Sequence, residues 1–413
     1  MFKIRKEFLV KALLLPILGT AFLVLGFEHG YSAKGYRYLK LRKYDEAIKS
    51  FSMANDKKGL GYLYLKRRMY PQAEAQFNSI SNDKGLGIVA LRRREFKKAM
   101  KYFKRADDHA EIGLTLCSKH KFKEALDELK KDNNFTVAAH AYMGMGQYRK
   151  AIKLFERAHD YSGVGLAYLG KKNINKAKQY FEKTKDYSGL GLAALQEGKF
   201  KKARQYFSEE NDIDGLGLLA LNMGQYNLAL KFFKEANDDS AIGKVYFKKG
   251  NYAKAAEYFK EANDYDSLGD MYFSLRAFDK AHNYFLKVGN KVKALQCLRE
   301  KKDDKKAIDF ALSAIRDGEM VPELTLQLGE IYRKSGNFKE AEKQFREVMS
   351  MEEMREEGLF YLARLQADKG DYQEALSTYN LLLSGYPRTK FKVEVQTALK
   401  SIKTLTGLLS KKR

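Results

Sequence analysis

Asp107, Asp108, His109 and Glu111 crowd four proton- or metal-binding side chains into five positions, the densest polar group in the chain. Three carboxylates and an imidazole so close together could ligate a divalent cation. The same pattern is also how a helix begins: an Asp that caps orphan N–H groups, followed by acids that complement the positive end of the helix dipole. The six histidines (His29, His109, His120, His140, His159 and His282) include no pair at the three- or four-residue spacing that would put two imidazoles on one helix face. Gly59-Leu60-Gly61, Gly163-Val164-Gly165, Gly189-Leu190-Gly191 and Gly215-Leu216-Gly217 have the spacing of a phosphate-cradling loop. That chemistry requires a strand before the loop, whereas these pairs follow helical segments, so they read as packing glycines. Cys117 and Cys297 lie 180 residues apart at apolar positions, too far for a disulfide in an extended array. No nucleophile elbow, zinc motif or kinase signature is present. The expectation is a protein that is not an enzyme and holds no cofactor or metal.

The spacing of these residues is set by a repeat. Alanine recurs every 26 residues at Ala47, Ala73, Ala99, Ala125, Ala151, Ala177, Ala203, Ala229, Ala255, Ala281 and Ala307. Four residues later stands Phe51, Phe77, Phe103, Phe155, Phe181, Phe207, Phe233, Phe259 or Phe285, with Leu129 and Ala311 as the exceptions. A spacing of four puts the pair on one helix face. Three residues before the alanine an aromatic or Ile recurs, failing only at Asp304. Twelve residues before it runs a column of small residues, from Gly35 and Gly61 through Ala139 to Gly269, ending at Leu295. Close approach of two helices explains it. A final column holds only Asp or Asn, from Asp56 and Asn82 to Asp264 and Asn290, and marks the N-cap that opens the first helix of each unit.

After Ala307 the period lengthens, and the next alanines in register, Ala341 and Ala375, each come 34 residues on. With Gly329, Tyr332, Ala341 and Phe345, then Ala363, Ala375, Tyr379 and Pro387, this stretch resembles the tetratricopeptide repeat family, whose period is also 34. The eleven 26-residue units look like the same hairpin with eight residues removed between one second helix and the next first helix. The expected pieces are the inter-repeat turn, its proline and the opening turns of the first helix. The fold class expected is all-α, an α-solenoid of thirteen stacked hairpins. Residues 31–316 hold the shortened repeats, 317–387 two full-length ones, and 388–413 a capping helix with Val393, Val395, Ala398, Leu399, Ile402 and Leu405 on its apolar face, followed by a basic tail.

Residues 1–30 differ in kind. Lys3, Arg5, Lys6 and Lys11 precede an uncharged run from Ala12 to Phe27. With Phe8 to Val10 added and Lys11 snorkelling, the run reaches about 20 residues, enough for about 30 Å of hydrocarbon. It reads as a transmembrane anchor or a signal segment. The uncleaved anchor is favoured because Tyr31 is bulky for a cleavage site before Lys34. The basic flank keeps the N-terminus cytoplasmic, so the body is expected on the trans side, which is the periplasm in a bacterium, or exported after signal cleavage.

Lys and Arg outnumber Asp and Glu by 77 to 52, and only two of the 25 excess charges fall in residues 1–33. The folded body is therefore basic and favours anionic partners. Nucleic acid is not expected, because the aromatics needed for base stacking are committed to the periodic columns.

The resemblance implies a concave groove lined by first helices that takes peptides or partner helices. The residue after each small one would face it: Tyr62, Ile88, Leu114, His140, Leu166, Leu192, Leu218, Lys244 and Asp270, six of the nine apolar or aromatic. Tighter stacking would instead bury this column, and both readings stand. Lys66, Arg92 and Lys248, four positions on, would rim the groove. The expected function is a protein-interaction scaffold in envelope, secretion, motor, cell-wall or surface-appendage machinery. The alternative is a module that binds anionic wall or glycan polymers.

Overall fold

The structure, a computed structural model, describes residues 30–131, 134–316, 321–351, 354–387 and 389–410. The expected anchor or signal segment at 1–29 and the basic tail at 411–413 lie outside the described residues. Among the described residues there are 27 α-helices and no strand, and no helix is long and apolar enough to cross a membrane. The chain divides into two compact units, residues 1–271 and 272–413.

In the first unit the helices come in pairs of nearly equal length. In the second repeat, α3 (Lys57–Lys66) and α4 (Tyr70–Asn78) form one hairpin, and α5 (Asp83–Arg92) with α6 (Phe96–Arg105) the next. The predicted caps are in place. Asp56, Asn82, Asp108, Asp160, Asp186, Asp212 and Asp238 each accept a hydrogen bond from the backbone N–H three residues on, at 2.7 to 3.0 Å.

Both turns of the hairpin contain one residue in the left-handed region. Within hairpins these are Arg42, Arg68, Arg94, His120, Gly146, Lys172, Gly198, Gly224 and Gly250; between hairpins they are Asn55, Ser81, Asp107, His159, Lys185, Asn211, Asn237 and Asn263. The chain thus reverses every 13 residues. The 26-residue repeat is two similar strokes of about ten helical residues and a three-residue turn.

The core is built from the two predicted columns. All eleven alanines of the 26-residue column, Ala47 to Ala307, are fully buried, as are Phe51, Phe77, Phe103, Phe155, Phe181 and Phe207. The Gly-x-Gly pairs explain how the rings fit. A Cβ on Gly61 would lie 2.6 Å from the ring of Phe77, and one on Gly85 would lie 2.4 Å from the same ring. The second glycine of each pair admits its own hairpin's phenylalanine, and the first admits that of the preceding hairpin. Two glycines per unit therefore set the stacking distance along the array.

The second unit contains the longer repeats. Here α23 (Val321–Lys334), α24 (Phe338–Ser350), α25 (Arg355–Lys369) and α26 (Tyr372–Gly385) run 13 to 15 residues. The shortened hairpins have lost more than the turn and the opening of the first helix, since their second helices also stop about one turn early. Pro387 follows the end of α26, as the resemblance implied. The final helix α27 (Lys392–Ser410) caps the unit by burying Val395 and Ile402 against Leu359, Ala363, Tyr379 and Leu382, while Val393 is exposed.

Candidate partner-binding surface

The first helix of each hairpin presents the column that follows the small residue. Tyr62, Ile88, Leu114, Leu166 and Leu192 are all buried, and Leu218 is half-buried. They pack into two continuous cores, Tyr62, Ile88 and Leu114 with Phe77 and Phe103, and Leu166 and Leu192 with Phe181 and Phe207. Tyr62 meets Phe77 edge to face, with ring centroids 5.2 Å apart. Stacking of ten-residue helices brings neighbouring first helices close enough to cover this column, so it does not form an open apolar face.

His140 takes the place of a leucine in the column. It is buried, packs edge to face on Phe155 at 4.9 Å, and neither ring nitrogen has a hydrogen-bond partner. Burial pushes its pKa down to about 3, so the imidazole is neutral. That is a structural role in an apolar slot.

The three expected rim residues do not share one environment. Lys66 is half-buried and donates to the Leu39 carbonyl at 3.3 Å; burial, helped by the charge of Arg42 and opposed by Glu210, lowers its pKa to about 8. Arg92 is also half-buried, and loss of solvent lowers its pKa, with Arg68 adding repulsion. Lys248 is exposed. Each of these two cations already has an acid acting on it, Glu210 on Lys66 and Glu111 on Arg92.

The group from Asp107 to Glu111 serves the helix start. Asp108 accepts from the Glu111 N–H at 3.0 Å and pairs with Lys84 at 2.6 Å, while His109 Nδ1 lies 2.5 Å from Glu128 Oε1. Glu111 is buried, and burial next to Asp108 lifts its pKa to about 7 against the pull of Lys84 and Arg92.

A second periodic surface was not picked out from the sequence. Lys150, Lys176, Lys254 and Lys280 occupy the position before the alanine, and each Nζ sits 5.2 to 5.4 Å from the ring centroid of Tyr142, Tyr168, Tyr246 or Tyr272. Three of those tyrosines stack on a second ring, Tyr168 on Tyr180, Tyr246 on Tyr258 and Tyr272 on Tyr284, at 5.5 to 5.6 Å. The Lys and Tyr columns were readable in the 26-residue register, but their contact was not.

Residues 326–388 match one tetratricopeptide-repeat family model, and residues 134–164 and 240–267 match another. The last two stretches lie in the shortened part of the array, where the hairpin recurs among the described residues of the first unit. These three stretches are tetratricopeptide repeats. Such repeats support a protein-interaction scaffold. No curated protein matches it. Among solved structures it is similar to yeast Tom70, at 16% identity over 92% of this chain and 98% of that one, with a TM-score of 0.47. The APC/C hetero-tetramer Cut9–Hcn1 is similar at 13% identity over 94% and 98%, with a TM-score of 0.32. The TPR domain of P58(IPK) is similar at 14% identity over 92% and 98%, with a TM-score of 0.27.

Proposed function

We propose that this tetratricopeptide array is a non-catalytic scaffold held at a membrane by residues 1–30, with its body on the trans side, where it organises envelope, secretion, motor, cell-wall or surface-appendage machinery. The observation that carries the reading is the recurrence of the helical hairpin in both units, among the described residues from Gly30–Lys40 to Tyr372–Gly385. The basic run followed by an uncharged stretch from Ala12 to Phe27 supports the tether. Cell fractionation with protease protection tests compartment and anchoring together. The full chain should sediment with membranes, resist alkaline extraction and be shielded from protease added to the cytoplasmic side. Crosslinking in intact cells followed by purification should then return specific protein partners, and recovery of the chain alone would count against the scaffold.

A second reading, a module for anionic wall or glycan polymers, is favoured by the row of lysines at Lys150, Lys176, Lys254 and Lys280, each held over a tyrosine face. The ammonium groups complement acidic substituents on such polymers. Salt-sensitive cosedimentation with purified wall polymer, lost on changing the four lysines to glutamine, would separate this reading from the first.

A further inference from the structure

The first unit makes contacts with itself at a fixed distance along the chain. The Arg42 guanidinium donates to the carbonyl oxygen of Asn211 at 2.8 Å, a separation of 169 residues, and lies 3.5 Å from Asp212. One repeat on, Arg68 forms a two-pronged pair with Asp214, with both nitrogens 3.0 Å from its oxygens, and reaches Asp238 at 3.2 Å and the Ala236 carbonyl at 2.9 Å. One repeat further, Arg94 lies 3.2 Å from Asp264 and 3.8 Å from Asp266. In the fourth repeat His120 Nε2 stands 3.6 Å from Asp266. Between the charged pairs, the side-chain amides of Asn237 and Asn263 donate to the carbonyls of Arg67 and Arg93, each at 3.0 Å and each 170 residues away.

These contacts form a ladder, because both of its rails follow the repeat. Arg42, Arg68 and Arg94 are 26 residues apart at the turn inside the hairpin. Asn211, Asn237 and Asn263, each followed by Asp212, Asp238 or Asp264, are 26 apart at the turn between hairpins. Thirteen helices separate the two rails, an odd number, which is why one end of a hairpin meets the opposite end of another.

The backbone supports a dedicated role. All three arginines sit in left-handed turn positions where glycine is least strained, and glycine does fill the equivalent position at Gly146, Gly198, Gly224 and Gly250. The opposing acids are well seated. Asp264 is buried, caps its helix through the Ser267 N–H at 3.2 Å, and accepts from the hydroxyls of Ser267 and Ser240. Burial alone would weaken the charge on Arg68, and the carboxylates of Asp238 and Asp214 more than reverse that effect.

We propose that residues 30–271 wind into a superhelix that closes on itself after six and a half hairpins, and that the ladder of Arg42, Arg68, Arg94 and His120 against the Asn-Asp turns at 211–214, 237–238 and 263–266 is a clasp that fixes its pitch. The clasp makes this part of the array a stiff sleeve, where an unclasped stack of hairpins would stretch like a spring. A partner then docks on the outer surface or enters along the axis, because the seam between successive turns is shut. The pairs are largely desolvated, so moderate salt does not open them.

The test uses the full chain in detergent, with Cys117 and Cys297 changed to alanine and spin labels on Leu41→Cys and Glu209→Cys, exposed positions on either side of the seam. Pulsed dipolar spectroscopy should give one narrow, short distance distribution that is unchanged between low and moderate salt. A broad or long distribution in this chain, whose clasp residues are all native, overturns the proposal, provided that its thermal melt matches that of the parent. Arg68→Gln with Arg94→Gln should lengthen and broaden the distribution while helix content by circular dichroism stays the same. An unchanged distribution in that pair overturns it too. Asn237→Ala with Asn263→Ala, which removes no charge, should broaden it partially and serves if the arginine pair does not fold.

Discussion

The clearest energetic consequence of the packing is at the glycine column. Gly191→Ala should destabilise the array even though alanine is the better helix former. In a helix interior the exchange gains about 1 kcal/mol from backbone entropy. Against this, the new Cβ would lie 2.4 Å from Cε1 and 2.6 Å from Cδ1 of Phe207, whereas ordinary contact begins near 3.4 Å. The ring must retreat by about 1 Å, but it is fully buried, and Gly215 of the next hairpin lines the same ring so closely that a Cβ added there would lie 2.3 Å from it. Overpacking of this kind costs about 1 to 3 kcal/mol, and with no room to yield the upper end applies, leaving a net loss of about 2 kcal/mol. Stability in a stacked array is local, so the assay is amide hydrogen exchange read in α13 (Tyr187–Gln196) and α14 (Phe200–Glu209), alongside a thermal melt. Phe207→Leu should relieve the clash, so that the double variant is at least about 1 kcal/mol better than the sum of the singles. Gly385→Ala, where a Cβ would meet nothing within 4 Å, serves as the control and should be neutral or stabilising. If Gly191→Ala proves as stable as the parent and additive with Phe207→Leu, the ring-in-glycine account of the stacking distance is wrong. Ala139, which stands naturally opposite Phe155, shows that a hairpin chosen as a whole can accept the extra methyl.

His140 has a folded pKa near 3 and an ordinary value of 6.5, so the unfolded chain takes up the proton first. Stability should fall by about 1.4 kcal/mol per pH unit as pH drops from 6.5 toward 3, and His140→Leu should remove that slope in denaturant titrations. Glu111 has the opposite sign: its folded pKa of about 7 lies above the ordinary 4.5, so its contribution is full below 4.5 and lost as pH rises through 7. Glu111→Gln should raise stability at pH 8 and leave it nearly unchanged at pH 4.5. Lys185 is exposed at φ 55°, and Lys185→Gly should stabilise by about 0.5 to 1 kcal/mol in a chemical melt, whereas Gly198→Ala at φ 74° should destabilise by a similar amount.

The array itself was legible because its signals are local and repeat. The buried Ala and Phe columns, the Asp and Asn caps and the helix after Pro387 all follow from spacing within a single hairpin, where 3.6 residues per turn decides which side chains meet. The left-handed turns were not legible. Arg, Lys, His, Asn and Ser occupy them more often than Gly does, so composition carries no mark of a turn whose regular 13-residue beat is plain in the backbone. The groove column could be read either way, because whether Leu166 and Leu192 face solvent depends on how closely first helices stack. That distance is set by the glycine pairs acting across hairpins.

The clasp lies furthest from the sequence, and the reason is physical. Each hairpin adds a small rotation and rise to the one before it, and only the sum over thirteen helices brings Arg42 to Asp212. A one-residue change in any turn between them would move the two rails out of register, so equal ten-residue helices and a constant repeat length are conditions for the ladder. The eight-residue shortening relative to the 34-residue hairpins near the C-terminus therefore has a structural rationale. Short, equal helices held at glycine spacing give a uniform curve that can return to meet itself, and the charges at the turns then hold it closed. A protein that works by holding others needs its surface residues at fixed mutual distances. Here those distances are fixed twice, by the ring-and-glycine contacts between neighbouring hairpins and by the arginine ladder between successive turns.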